Sequence, residues 1–301
     1  MGYVCVIGGT NVDIICTPNE QLNLRDSNPS KITITAGGVG RNIAENLARL
    51  SQQVKLISVI GNDVNAQIIR DNAILVGMDI SHCMQVDMPT SMYVAINDSN
   101  NDMLVGANSM QSAQMLSQEF LSGKLELLNG ASCVVVDTNM YHVLPYVLSV
   151  VTVPVFVEAV SSAKILLAKP HLKNVFALKV NHDEALALTG VDVDNILTAQ
   201  LCYNNVCDKV ENLYITNSQG VYVCTRNGVS FVKGIKTEVV NTTGAGDSFF
   251  AGVVLGYMLG KDVTQCACYG QACSMITVKS PSAVSQQLSL QTIIKLAEEQ
   301  L

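Results

Sequence analysis

The run Val240-Asn241-Thr242-Thr243-Gly244-Ala245-Gly246-Asp247-Ser248-Phe249-Phe250-Ala251-Gly252 brings two kinds of chemistry into one loop. Gly244 and Gly246 free backbone N–H groups where a polar loop enters an apolar helical run, and amides at a helix N-terminus bind anions. Asp247 puts a carboxylate in the same place, where it would repel the anion. The conflict resolves if Asp247 takes a proton from a hydroxyl while the amides hold a phosphoryl group in transfer. The competing reading is a loop with two turn glycines and an acidic helix cap.

Four further clusters carry polar groups at strand ends or helix starts. In Gly8-Gly9-Thr10-Asn11-Val12-Asp13 the G-x-G-x-x-G spacing of a dinucleotide loop is absent, and no P-loop occurs anywhere. What remains is Asn11 and Asp13, the latter able to accept hydrogen bonds from two vicinal hydroxyls. In Ala36-Gly37-Gly38-Val39-Gly40-Arg41-Asn42 the Gly37 and Gly38 backbone admits a ligand closely, and the Asn42 amide can bond a hydroxyl. The same glycines also read as a hinge. Asn181 and Glu184, three apart, can organise water around magnesium, or they simply open a helix with acidic residues. Residues 214–221 read as strand, polar turn and strand, either a nucleotide contact or an ordinary turn.

Positioning these groups requires a framework. Short β-branched runs over 4–7, 54–60, 133–136, 153–157, 175–180 and 213–216 are continuous rather than alternating, as in a parallel sheet covered on both faces. Helical stretches lie between them at 42–50, at 184–188 before Gly190, and at 249–258, apolar nearly all round and so buried. This alternation predicts a doubly wound α/β fold, a mostly parallel sheet flanked by helices, in a single domain over 1–301. Two regions break the rhythm. One is 13–36, with Pro18, Pro29 and an alternating run. The other is about 90–108, a hairpin over the polar turn 97–102. Together they predict a small β-sheet lid.

Composition narrows the class. With 301 residues and 49% hydrophobic content, the chain can bury a large core. Its 14% of charged residues falls below the roughly 25% of an average domain and points to extra buried surface, such as a subunit interface. A net charge of −7 without a Lys/Arg run argues against nucleic acid. The ten cysteines, without C-x-x-C spacing or a secretion signal, read as reduced thiols of a cytoplasmic protein, and four scattered His argue against zinc. No apolar run reaches the roughly 18 residues of a membrane span.

The order Asn-x-Asp, Gly-Gly-x-x-x-Asn, Asn-x-x-Glu, Thr-x-x-x-Gly and Gly-Ala-Gly-Asp resembles the ribokinase, or PfkB-type, carbohydrate and nucleoside kinases over residues 3–300. Within them, the runs 26–32, 37–47 and 103–108 are most similar to the pseudouridine kinase branch. The resemblance implies a ribokinase-like fold and ATP-dependent phosphorylation of the 5′-hydroxyl of pseudouridine. The alternative acceptors are ribose, adenosine or a keto-sugar acid. It makes Asp247 the catalytic base, with Gly244, Ala245 and Gly246 as anion hole. Asn11, Asp13, Gly37, Gly38, Asn42 and Asn108 would bind the acceptor. Asn181 and Glu184 would hold Mg²⁺ through water, Thr216 and Gly220 would line the ATP pocket, and Asn241 and Thr243 mark a monovalent-cation loop, occupied in relatives by K⁺. It further implies a homodimer through the lid. Departures are Asn241 and Ser109 for Asp, Glu158-Ala159 for Asp-Pro, Val180 for Pro and Asn217 for Gly. Beside a helix N-terminus, Asp247 is expected to stay ionised as a weak base.

Overall fold

Val4–Ile7 shows why the uninterrupted apolar runs suit a central strand. Val4 and Val6 point into one apolar cluster and Cys5 and Ile7 into another, so both faces of the strand are covered. In the computed structural model, which describes residues 2–99 and 102–300, it pairs in parallel with Val54–Ile57 and Cys133–Asp137. The main sheet has eight strands, in the order Gly228–Lys233, Gly220–Thr225, Val210–Asn217, Val175–Asn181, Val155–Glu158, Cys133–Asp137, Val4–Ile7, Val54–Ile57. Gly220–Thr225 pairs antiparallel with both of its neighbours, and the other pairings are parallel. The expected strand over 54–60 is divided at Ser58, whose buried hydroxyl donates to the Gly8 carbonyl at 2.6 Å. Beyond it Val59–Ile60 pairs with Met84–Gln85.

Helices cover both faces. Ala245–Met258, buried from Ser248 to Gly256, packs between Val39–Arg49 and Val263–Val278. His182–Thr189 ends at Gly190, which takes the left-handed conformation at φ 76°. Among the described residues, no helix is long and apolar enough to cross a membrane.

A separate four-stranded sheet has the order Ser30–Gly37, Asn11–Pro18, Met92–Asn97, Met103–Ser109. Its last two strands form the expected hairpin, with Asp98 donating its N–H to the Asp102 carbonyl at 2.7 Å. Asn100 and Asn101 of that turn lie outside the described residues.

Candidate active site

Gly244 caps the helix Ala245–Met258 with φ 78°, and a Cβ on it would stand 2.0 Å from the Ala283 carbonyl oxygen. Only glycine fits that turn. The Ala245 N–H turns back to the Thr242 carbonyl at 3.2 Å. The Gly246 and Asp247 amides are therefore the ones that the first helical turn leaves for an anion. Asp247 receives a hydrogen bond from Asn42 Nδ2 at 2.7 Å, joining two clusters 205 positions apart. Arg41 fixes the sense of that contact. Its Nη2 donates to Asn42 Oδ1, so the Asn42 NH₂ group must face Asp247. Burial pushes Asp247 from 3.8 up to about 6, against the Asn42 hydrogen bond and the charge of Lys179. The expected low value is thus corrected, because desolvation outweighs the helix N-terminus.

A cleft of about 600 Å³ opens beside Asp247, and Asn11, Asp13, Gly38, Asn42, Asn108, Thr243 and Gly244 line it as well. Asn11 Nδ2 donates to Asp13 Oδ1 at 2.5 Å. Burial raises Asp13 against the Asn11 hydrogen bond and the charge of Arg41. Gly37 does not line the cleft. A Cβ there would lie 2.2 Å from Asp13 Oδ2, so its missing side chain makes room for that carboxylate. The small sheet supplies one wall through Asn11, Asp13, Tyr93 and Asn108. Sequence reasoning missed Asp137, fully buried at a strand end, which accepts from the N–H groups of Gly9 (2.8 Å) and Gly40 (2.7 Å). It ties the Asn11 loop to the start of the Asn42 helix. It also missed Tyr93, Asn139, Tyr141 and Lys164 in the cleft wall. Motif spacing carries no signal for them.

On the other side of the loop lies a second cleft, of about 720 Å³, lined by Gly220, Gln271, Met275, Thr242 and Ala245 among others. Asn217 accepts from the N–H groups of Gln219 (2.8 Å) and Gly220 (3.0 Å), holding the turn where a glycine was expected. Thr216 lines neither cleft, and its hydroxyl donates to the Val180 carbonyl at 3.3 Å. Asn181 and Glu184 also line neither. They form a reciprocal capping box, Glu184 N–H to Asn181 Oδ1 at 2.8 Å and Asn181 N–H to Glu184 Oε2 at 2.7 Å.

Asn241 Nδ2 donates to the Pro281 carbonyl at 3.0 Å, while its Oδ1 accepts from the Thr243 N–H at 2.9 Å. A carboxylate here would set two oxygens face to face and need a cation between them. The carboxamide meets both partners directly, so these residues do not fit a monovalent-cation site.

The sequence profile of the pfkB family carbohydrate kinases matches residues 1–289. The chain belongs to this family. The pseudouridine kinase of Escherichia coli (strain K12) is 32% identical over 98% of this chain and 96% of its own length. A carbohydrate kinase from Agrobacterium tumefaciens superposes with a TM-score of 0.86 at 25% identity, covering 99% of this chain and 97% of that one. Arabidopsis thaliana ribokinase, solved with ribose and ATP, gives a TM-score of 0.84 at 20% identity, with 99% of each chain covered. Like other pfkB kinases, the protein is a phosphotransferase with an alcohol acceptor, a sugar or nucleoside.

Proposed function

We propose that this pfkB kinase transfers the γ-phosphoryl group of ATP to the 5′-hydroxyl of pseudouridine. One observation carries the reading: residues 242–247 border both clefts, Thr242 and Ala245 the one beside Gly220, Thr243, Gly244 and Asp247 the one beside Asn42. A donor in one cleft and a hydroxyl in the other would meet at the start of the helix. The Gly246 and Asp247 amides would steady the phosphoryl group, and Asp247 would accept the hydroxyl proton late, as the bond to phosphorus forms. Asp13 and Asn11 would hold the ribose hydroxyls. The small sheet, acting as a lid over 13–36 and 90–108, would keep out water that hydrolyses ATP. Tyr93 and Tyr141 give the acceptor cleft an aromatic wall that ribose alone would leave unfilled, and identity with the E. coli pseudouridine kinase supports a C-linked nucleoside.

Asn181 and Glu184 do not fit the expected Mg²⁺ site as they stand, since each side chain accepts the other's backbone N–H in the capping box and neither lines a cleft where phosphates would lie. The exposed apolar residues of the small sheet support a homodimer through the lid.

The test is ATP consumption with pseudouridine, uridine, adenosine, ribose and keto-sugar acids, with the product located by phosphorus NMR. Turnover with pseudouridine is expected, the phosphate on the 5′-oxygen. Turnover confined to ribose overturns the substrate, and none with any acceptor overturns the reaction. Lys164 in the cleft gives a carboxylate-bearing acceptor its one specific argument.

A further inference from the structure

Glu158 and Lys179 have no part in the chemistry so far. They stand opposite each other at the C-terminal ends of adjacent parallel strands, Val155–Glu158 and Val175–Asn181. Both side chains are buried, and Lys179 Nζ lies 2.8 Å from Glu158 Oε1. A buried ion pair recovers its desolvation cost poorly, and two apolar residues would fill the space at least as well. Glu158 Oε2, also buried, has no hydrogen-bond partner among the described residues. Burying such a pair there calls for a reason other than stability.

The position of the ammonium supplies one. A Cβ on Gly246 would stand 2.8 Å from Lys179 Nζ, so the cation packs directly under the second residue of the helix that begins at Ala245. It interacts electrostatically with Asp247 and Glu184 as well as with Glu158. The loop has a built-in defect as an anion site, the Asp247 carboxylate beside the amides. The nearest remedy is a fixed positive charge beneath the same turn.

We propose that Lys179 is a positioning residue of the phosphoryl site. Packed under Gly246 and paired with Glu158, its ammonium offsets the Asp247 carboxylate, so that the loop tolerates both a base and a phosphoryl group. It forms and breaks no bond. Its effect falls on the transition state, where charge spreads over the transferring oxygens in a site already organised to receive it. The inference rests on the phosphoryl-transfer reading above.

The test compares variants that break the pair from either side. Lys179→Gln and Glu158→Gln disrupt the same ion pair, but only the first removes the cation. With folding checked by circular dichroism and melting, Lys179→Gln is expected to lower kcat at least ~50-fold, with the acceptor KM and the half-saturating Mg²⁺ within about 3-fold of wild type. Glu158→Gln should keep kcat within about 5-fold. Equal losses in the two variants would reduce the pair to a structural role and overturn the proposal. The double variant Lys179→Met/Glu158→Met guards against misfolding, because it replaces the pair by apolar side chains. It should melt no lower than Lys179→Gln and remain slow, and recovery of wild-type kcat would also overturn the proposal. A wild-type protein inactive on every acceptor would instead refute the kinase reading itself.

Discussion

Asp247 is a carboxylate that desolvation has moved toward the pH at which a general base works best. With its value raised to about 6, the proposed base is ionised at neutral pH and protonated under mild acid. The kcat–pH profile should therefore rise through a limb near pH 6, and a flat profile between pH 5 and 8 would contradict the assignment. Asp247→Asn should lower kcat at least ~100-fold, the scale for loss of a general base, while calorimetry finds nucleotide and nucleoside binding nearly unchanged. The same residue predicts an opposite effect on stability. A carboxyl whose folded-state value lies above its ordinary 3.8 contributes stability that is present below that value and lost as pH rises through about 6. Asp247→Asn should thus be more stable than wild type at pH 8, by on the order of 3 kcal/mol, with the difference fading toward pH 4. Melting curves at the two pH values measure it.

At the scale of loops and elements, two positions answer to simple substitutions. Gly38 adopts φ 101°, and a Cβ there would stand 2.4 Å from the Gly9 carbonyl oxygen, a backbone atom that cannot swing away. Gly38→Ala should lower stability by about 2 kcal/mol or more in chemical denaturation, and weaken acceptor binding with it. Asn241 meets the Pro281 carbonyl and the Thr243 amide with one carboxamide. Activity should therefore stay within about 2-fold when K⁺ is replaced by choline, whereas Asn241→Asp should become K⁺-dependent in both kcat and melting temperature. A wild type that loses most of its activity in choline would refute this. These loops also mark how far the sequence could be read. The buried strands were legible because a strand covered on both faces needs apolar residues at every position, and the hairpin because its polar turn is explicit. The glycine clusters and Asp247 were legible as motifs. The partners that orient them were not. Asp137 reaches Gly9 and Gly40 from 128 and 97 positions away, and local pattern does not encode such a contact. Thr216 and Gly37 show the converse. Each has the expected residue type, but one hydroxyl is satisfied by the adjacent strand and the other position serves only to make space for Asp13.

At the scale of the whole molecule, the small sheet has a surface that a solitary chain would not be expected to keep. Ile32, Ile34, Met103, Leu104 and Val105 are each more than half exposed, from 52% to 60%. They lie on Ser30–Gly37 and Met103–Ser109, the two edge strands, whose outer N–H and C=O groups have no neighbouring strand among the described residues. Exposed apolar side chains along open edges invite pairing with another strand, and a second copy of the same sheet offers matching groups under two-fold symmetry. The low charged fraction of the chain, 14%, fits a surface partly withdrawn from water. Pairing there would stiffen the wall that holds Asn11, Asp13, Tyr93 and Asn108 against the cleft, so assembly and catalysis should be linked. Light scattering at micromolar concentration should give twice the chain mass. Ile34→Lys combined with Leu104→Lys should give the single-chain mass and raise the acceptor KM several-fold, with kcat at saturation less affected because Asp247 and its helix lie in the main body. A wild-type mass of one chain at that concentration would refute the dimer. An unchanged KM in a monomeric variant would show that the small sheet holds its cleft wall in place without a partner.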